Sequence, residues 1–358
     1  MKIIDRYIIR KFLITFFFSL TLILTVCVIW DITEKLDDFL EKQAPVKAII
    51  FEYYFNFIPY FANLLAPLFV FIAVIFFTAR MANNTEIIAI LNSGVSFRRL
   101  LYPYMLVSTL LAGIAFYFSG WVIPHANKVR LEFENRYIKN KYVYRSRNIH
   151  RQISPGEFVY FDNFNNIEQV GFRFSLERIK DGKLTYKLMA DAVRWDSIQH
   201  KWHVMNYHIR EIRGMDEVLV SGSSFDTTLA LTPADFTQRI NNIETMDNVE
   251  LSHFIRQEEL RGAENTEFYL VEKYRRTAVP FATFILTVIG VSVAGRKIRG
   301  GFGLQIVFGL VLSFAYIFFM QVSYTFATGG GLSPLLAVWI PNILFAGIAF
   351  VLLRYAPH

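Results

Sequence analysis

Six long stretches of this chain carry no charged residue, and they constrain the fold more than any other feature: Phe12–Trp30, Tyr53–Thr78, Leu100–Ile123, Thr277–Gly295, Phe302–Thr328 and Leu332–Leu353. Each is about 19 to 27 residues long, and about 20 apolar residues in a helix cross the hydrocarbon of a bilayer. In lipid an unpaired backbone group has no water to bond, so such runs must be helices. The composition agrees: 54% of the residues are hydrophobic and 36 are Phe, too apolar for an ordinary soluble domain. Three runs precede a polar stretch from His125 to about Thr266, and three follow it.

Charge sets the expected orientation. Lys2, Arg6, Arg10 and Lys11 precede the first run, arginines flank the second inside segment, Arg80–Arg99, and Arg296, Lys297 and Arg299 follow the fourth. Arg354 and His358 close the chain. Short basic segments stay in the cytoplasm, so both termini are expected inside and the polar insertion outside. The net charge of +7 is read as cytoplasmic loops and anionic head groups, not as nucleic-acid binding. The first run is long enough to span and has no small-residue cleavage site behind it, so it is expected to be a retained span. Cys27, the one cysteine, lies in that run and is read as a small hydrophobe. Asp31–Glu52 is expected to be an outer loop, Pro59 and Pro67 to bend or break the second span, and Pro124 to close the third.

The insertion carries strand signals. Arg173–Ile179 and Leu184–Ala190 flank Asp181-Gly182, a hairpin signature. Ala192–Trp195, Lys201–Ile212, Val218–Ser221 and Phe225–Leu231 continue the pattern, with a turn at Asp196–His200. This predicts an all-β sandwich or open barrel. Phe172, Phe174 and Trp195 are expected in its core or lining its interior. His203 and His208 are an odd number of residues apart, which would place them on opposite faces of a strand; with no cysteine nearby, a metal site is not expected.

The segment Arg80–Arg99, RMANNTEIIAILNSGVSFRR, contains a short helix by pattern. Asn83 followed by Glu86 resembles a capping box. Ile87, Ile90 and Leu91 share one face, and Gly94 suits the C-terminal cap. A helix this short needs the membrane surface or a partner to hold it. Two readings stand: an ordinary interfacial loop, or a helix that transmits motion from a cytoplasmic partner.

No phosphate loop occurs, and Gly295–Gly301 lacks its spacing and strand. Ser221–Ser224 lacks a nucleophile-elbow pattern. No enzymatic activity or cofactor is expected. The basic residues at the outer ends of the spans run against the usual bias: Lys35, Lys42 and Lys47 after the first, Lys128, Arg130 and Arg136 after the third, Lys273, Arg275 and Arg276 before the fourth. They are either paired locally with Glu34, Glu132, Glu134 and Glu272, or available to a phosphorylated lipid head group.

The DRYIIRKF start, the three-plus-three spans, the stretch TEIIAILNSGVSFRRLL and the inserted domain together resemble the LptF/LptG permeases of the lipopolysaccharide exporter, over essentially the whole chain. The start and the DITEKLDDFL segment look more like the LptG branch. The resemblance implies a polytopic α-helical membrane protein of six transmembrane helices with an inserted periplasmic all-β, jellyroll-like domain. The implied organisation is residues 1–124 as spans one to three with a coupling helix at about 83–94, residues 125–266 as the periplasmic domain with a helical return, and residues 267–358 as spans four to six. It implies an inner-membrane permease subunit, paired with an LptF-like permease, driven by an LptB-like cytoplasmic ATPase dimer, and passing lipopolysaccharide to LptC-like and LptA-like bridge proteins. Carried onto this sequence, the coupling residues are Glu86, Ile87, Ile90, Leu91 and Gly94. The expected head-group residues are Lys35, Lys42, Lys128, Arg130, Arg136 and Arg276. The first and fifth spans, the latter with Gly301, Gly303 and Gly309, are the implied walls of a lipid cavity. Two other classes remain as alternatives: an ion-coupled carrier, against which the spans carry no central ionisable residue, and a membrane sensor, against which the inside loops are too small for an output domain.

Overall fold

The computed structural model describes residues 2–138, 147–214, 216–233, 240–260, 266–295 and 303–355. Arg296, Lys297, Arg299, Gly301 and His358, named above, lie outside them. The chain divides into two compact units: Met1–Ile138 with Glu244–Leu251 and Glu267–His358, and Lys139–Ile243 with Ser252–Thr266.

Six helices of the first unit are long and apolar enough to cross a membrane. Helix α1 (Ile3–Glu41) has 39 residues and is about 58 Å long at 1.5 Å per residue, so it extends well beyond the hydrocarbon. The expected loop at Asp31 is therefore a correction: the helix continues through it. Asp31 itself is 8% exposed, because its carboxylate is satisfied inside the fold. After a short α2 (Val46–Ala48) and a widened helical turn (Ile49–Tyr54), α3 (Phe55–Asn83) runs unbroken through Pro59 and Pro67. The irregularity falls just before the first proline instead. The third span repeats this device: α5 (Phe97–Tyr117), a widened turn (Phe118–Val122) and α6 (Ile123–Tyr137) form one helical stretch of 41 residues. Pro124 thus does not close the span. It sits at the start of α6, directly after the widened turn. The sequence boundary at residue 125 falls inside this stretch.

Helix α4 (Glu86–Asn92) lies between α3 and α5. After the insertion come a 3₁₀ turn (Ile240–Thr245), α7 (Asn248–Leu260) and the last three spans, α8 (Thr266–Ala294), α9 (Gly303–Thr328) and α10 (Pro334–Arg354). Helix α3 is central, with residues in three of the apolar clusters. Small residues let its neighbours approach. A Cβ on Gly290 of α8 would lie 2.8 Å from Val74 Cγ1 of α3, and one on Gly309 of α9 would collide with Ile75 Cδ1. Polar side chains tie the helices where lipid cannot: Ser108 to Thr287 at 2.7 Å, and Asn342 to both Tyr316 and the Ala278 carbonyl at 2.8 Å.

The second unit is built on one antiparallel sheet, β1 (Arg147–Ser154), β2 (Glu157–Asn165), β3 (Val170–Lys180), β4 (Lys183–Asp196), β5 (Lys201–Arg213) and β6 (Asp216–Thr227), each strand beside its sequence neighbour. Asp181 and Gly182 both have positive φ, +48° and +72°, as a two-residue hairpin with the twist of its strands requires. One face is apolar, around Phe161, Phe164, Phe174, Val193 and Trp202. Its inward positions do not alternate throughout. They step by three from Phe161 to Phe164, Gly171 to Phe174, Ala190 to Val193 and Val204 to Tyr207. These steps are side by side, because Asn163 pairs with Phe172, Phe172 with Ala192, and Ala192 with Met205. Arg173 and Asn206 take up the extra residue in left-handed conformations. A bulge line therefore crosses the sheet, and it keeps one face apolar on both sides of itself.

Two expectations are corrected by that line. His203 and His208 are on the same, exposed face, since Asn206 between them restores the parity; they bond to Asp226 at 2.7 Å and Ser221 at 2.8 Å. Phe174 is in the core and Trp195 packs against it, whereas Phe172 is 40% exposed on the other face.

Candidate functional site

The first unit carries two polar constellations, one at each end of α1. At the α4 end, the structure corrects the capping expectation. Asn83 is the last residue of α3, not the cap of α4. Thr85 holds the cap position with φ +62° and makes no side-chain cap bond. Glu86 does not turn back to cap the helix either. Its carboxylate accepts from Tyr7 Oη at 2.7 Å and pairs with Lys11 Nζ at 3.3 Å, both on α1. Asn84 adds a bond at 3.3 Å. Burial alone would raise this carboxyl, but the bonds from Tyr7, Asn84 and Lys11 together outweigh it and hold it below its usual range. The contact is thus present at neutral pH and is lost only in acid, as pH falls through the lowered value.

The expected apolar face of α4 exists and points inward. Ile87 is fully buried with Ile8 and Phe12 of α1, Phe77 and Met81 of α3, and Phe97 and Leu100 of α5; Ile90 and Leu91 pack against the same cluster. Gly94 has φ +84° and its N–H returns to the Leu91 carbonyl, so the helix ends as expected. Ser96 then caps α5, accepting from the Arg99 N–H. What α4 leaves outward is Ile88, Ala89, Asn92 and Ser93.

One further pairing at this end was not visible in the sequence. Arg99 of α5 grips Asp5 of α1 with two bonds, both 2.8 Å. Asp5 is only 2% exposed and also accepts the Lys2 N–H. The sequence signal was two isolated charges 94 residues apart, which no periodicity connects.

At the other end of α1, Asp31 accepts from Tyr53 Oη at 3.2 Å and Tyr54 Oη at 3.1 Å, and pairs with Lys35 at 2.7 Å; Lys35 also contacts the Tyr53 hydroxyl. Lys42 donates to the Ile138 carbonyl at 3.2 Å. Arg130 is 8% exposed, over the Tyr60 ring and between Glu134 at 3.6 Å and Glu244 at 3.9 Å. Arg276 is 6% exposed and bonds to Asn248 at 3.1 Å, with Glu272 at 3.6 Å; Glu272 also holds Arg275 at 2.9 Å. A cavity of about 70 Å³ lies among Tyr60, Asn63, Asn127, Glu244 and Arg275. The Glu244 carboxyl is pushed above its usual range, first by burial and then by Glu272, against Arg275 and Arg130. Of the six basic residues expected to meet a head group, Arg130 and Arg276 are thus built into the interior, Lys35 and Lys42 are half-buried, and Lys128 and Arg136 are exposed on α6.

Between these ends the first and fifth spans are the least covered. Only 17% of the α1 span and 28% of the α9 span are buried, against 61% of α8. Phe17, Phe18 and Trp30 on α1, and Phe308, Phe314 and Phe318 on α9, are exposed. Gly303 borders open space, while Gly309 packs on Ile75.

Six apolar spans split three and three by an antiparallel β unit, with a short helix seated between spans, define a polytopic membrane protein with a β domain. The chain matches the family model described as the lipopolysaccharide export system permease LptF/LptG over residues 6–355, and it belongs to that family. It is accordingly a permease of lipopolysaccharide export, a transport subunit rather than an enzyme. No curated protein matches it.

Proposed function

We propose that this chain is an LptG-like subunit of the inner membrane. It pairs with an LptF-like permease, with both termini in the cytoplasm and the β unit in the periplasm. A separate cytoplasmic ATPase dimer docks on α4. Lipopolysaccharide enters sideways from the outer leaflet, between the bare faces of α1 and α9, and is expelled toward the β unit as ATP binding closes the pair. The β unit passes it to LptC-like and LptA-like bridge proteins. The family match over residues 6–355 is the observation that carries this reading. The structure supports the division of labour at α4: Glu86, Ile87, Ile90, Leu91 and Gly94 seat and end the helix, and Ile88, Ala89, Asn92 and Ser93 offer the docking face.

For the head group, exposure favours Lys128 and Arg136, with Lys35 and Lys42 beside the end of α1. Arg130 and Arg276 are engaged with neighbouring elements instead, Arg130 with Glu244 of the 3₁₀ turn and Arg276 with Asn248 at the start of α7. A photoreactive residue at Trp30 tests this. It is expected to crosslink to lipopolysaccharide in membranes, and Lys128→Ala with Arg136→Ala is expected to reduce the yield about tenfold, the effect of losing charge-assisted bonds to phosphate. An undiminished yield would remove α6 from the head-group site.

A further inference from the structure

Helix α1 has no covalent neighbour at α4, which is joined directly to α3 and α5. It is nevertheless fastened there by two ion pairs, Lys11 to Glu86 of α4 and Asp5 to Arg99 at the start of α5, and by a hydrogen bond from Tyr7 to Glu86. Ile8 and Phe12, on the turns between these polar groups, are fully buried against the cluster that contains Ile87, Phe97 and Leu100. Polar and apolar contacts therefore alternate along the first three turns of α1: the polar ones go to α4 and the start of α5, while Phe12 also meets Phe77 of α3 and Tyr104 of α5.

The opposite end of α1 is fixed as well, by Asp31 to Tyr53 and Tyr54. Asp5 and Asp31 are 26 positions apart, about 39 Å along a helix. Between them α1 is the least covered span of the chain. A continuous helix fastened at both ends, packed along one side through Phe12, Phe16 and Leu20 and open on the other, transmits a displacement along its length.

We propose that Asp5, Tyr7 and Lys11, through Glu86 and Arg99, form a clasp that makes α1 move with the docking helix. A push on α4 then reaches the lipid-facing wall and the Lys35 end of α1 directly, rather than only through α3 and α5. In this account Glu86 is a positioning residue: its carboxylate is turned to α1 and is not part of the outward docking face. The inference rests on the reading above, in which an ATPase docks on α4.

The test uses the permease pair with its ATPase in proteoliposomes, with Tyr7→Phe combined with Lys11→Met, and with Asp5→Arg, Arg99→Asp and the Asp5→Arg/Arg99→Asp exchange. Three quantities are read: ATPase copurification, melting temperature, and lipopolysaccharide moved per ATP hydrolysed. The Tyr7/Lys11 variant is expected to copurify and melt like wild type while moving at least about fivefold less lipid per ATP, the loss of charge-assisted bonds being felt as uncoupling. Lys11→Arg, which keeps the charge, is expected to retain most of the wild-type ratio. The exchange variant is expected to recover much of what each single charge reversal loses. Failure of wild type to retain an ATPase would defeat the docking reading itself. Wild-type docking with an unchanged ratio of lipid to ATP in the Tyr7/Lys11 variant would overturn the clasp alone.

Discussion

Ile87→Asp is expected to prevent the protein from accumulating as a monodisperse species in mild detergent. The Ile87 side chain is fully buried among Ile8, Phe12, Phe77 and Phe97. Removing it forfeits about 2 to 5 kcal/mol of packing, and a carboxylate in its place has no partner in that apolar shell and adds several kcal/mol more. Folded domains have only about 5 to 15 kcal/mol to lose. Ile87→Val, which removes one methylene, is expected to cost about 1 kcal/mol and to leave a single sharp elution peak. Size-exclusion chromatography with a thermal melt distinguishes the two. If Ile87→Asp eluted and melted like wild type, Ile87 would have to face outward, and the seating of α4 described above would be wrong.

The second large effect belongs to the β unit. Trp202 is fully buried against Phe161, Phe164 and Trp195, and its indole Nε1 donates to the Leu231 carbonyl at 2.8 Å. Trp202→Ala is expected to cost about 3 to 5 kcal/mol, and the abandoned carbonyl adds to the loss. Limited proteolysis of the full-length protein should then cut within residues 147–233 at protease levels that leave wild type intact. Trp202→Phe, which retains an aromatic ring but loses the donor, is expected to fall between. Equal resistance of the Ala variant would mean that Trp202 does not hold the sheet to the Leu231 segment.

The spans were legible in the sequence because lipid imposes a simple requirement, a long uncharged run, and all six runs are helices. Their ends were not. Charge marks where a chain leaves hydrocarbon, not where a helix stops, so the polar continuations of α1 past Asp31 and of α6 past Pro124 read as loops. The hairpin at Asp181-Gly182 was legible since few residues tolerate its two positive φ values. Strand β4 was read as two pieces because the bulge near Ala192 breaks alternation, and alternation was the signal being followed. β1 and β2 were not recognised as strands; β2 also crosses the bulge line, between Phe161 and Phe164.

The candidate site divides in the same way. The apolar face of α4 and its Gly94 end follow from local periodicity. The partners of Glu86 and Asp5 do not, since Tyr7, Lys11 and Arg99 are 75 to 94 positions away in sequence. Among the basic residues, sequence could show the cluster but not its pairing. Arg130 lies on the buried face of the same helix, α6, that carries Lys128 and Arg136 on its exposed side, and Arg276 lies on the buried face of α8.

Copurification tests the central claim most directly: an ATP-driven permease docked through the outward face of α4. Affinity-tagged wild type, extracted in mild detergent, should retain a nucleotide-binding ATPase subunit. Ile88→Arg, at a position 40% exposed and outside the buried cluster, should melt like wild type but retain at least about tenfold less of it, the consequence of about 1.4 kcal/mol or more lost at the contact. Wild type that carries no ATPase, or Ile88→Arg and Asn92→Arg variants that carry it fully, would contradict the account.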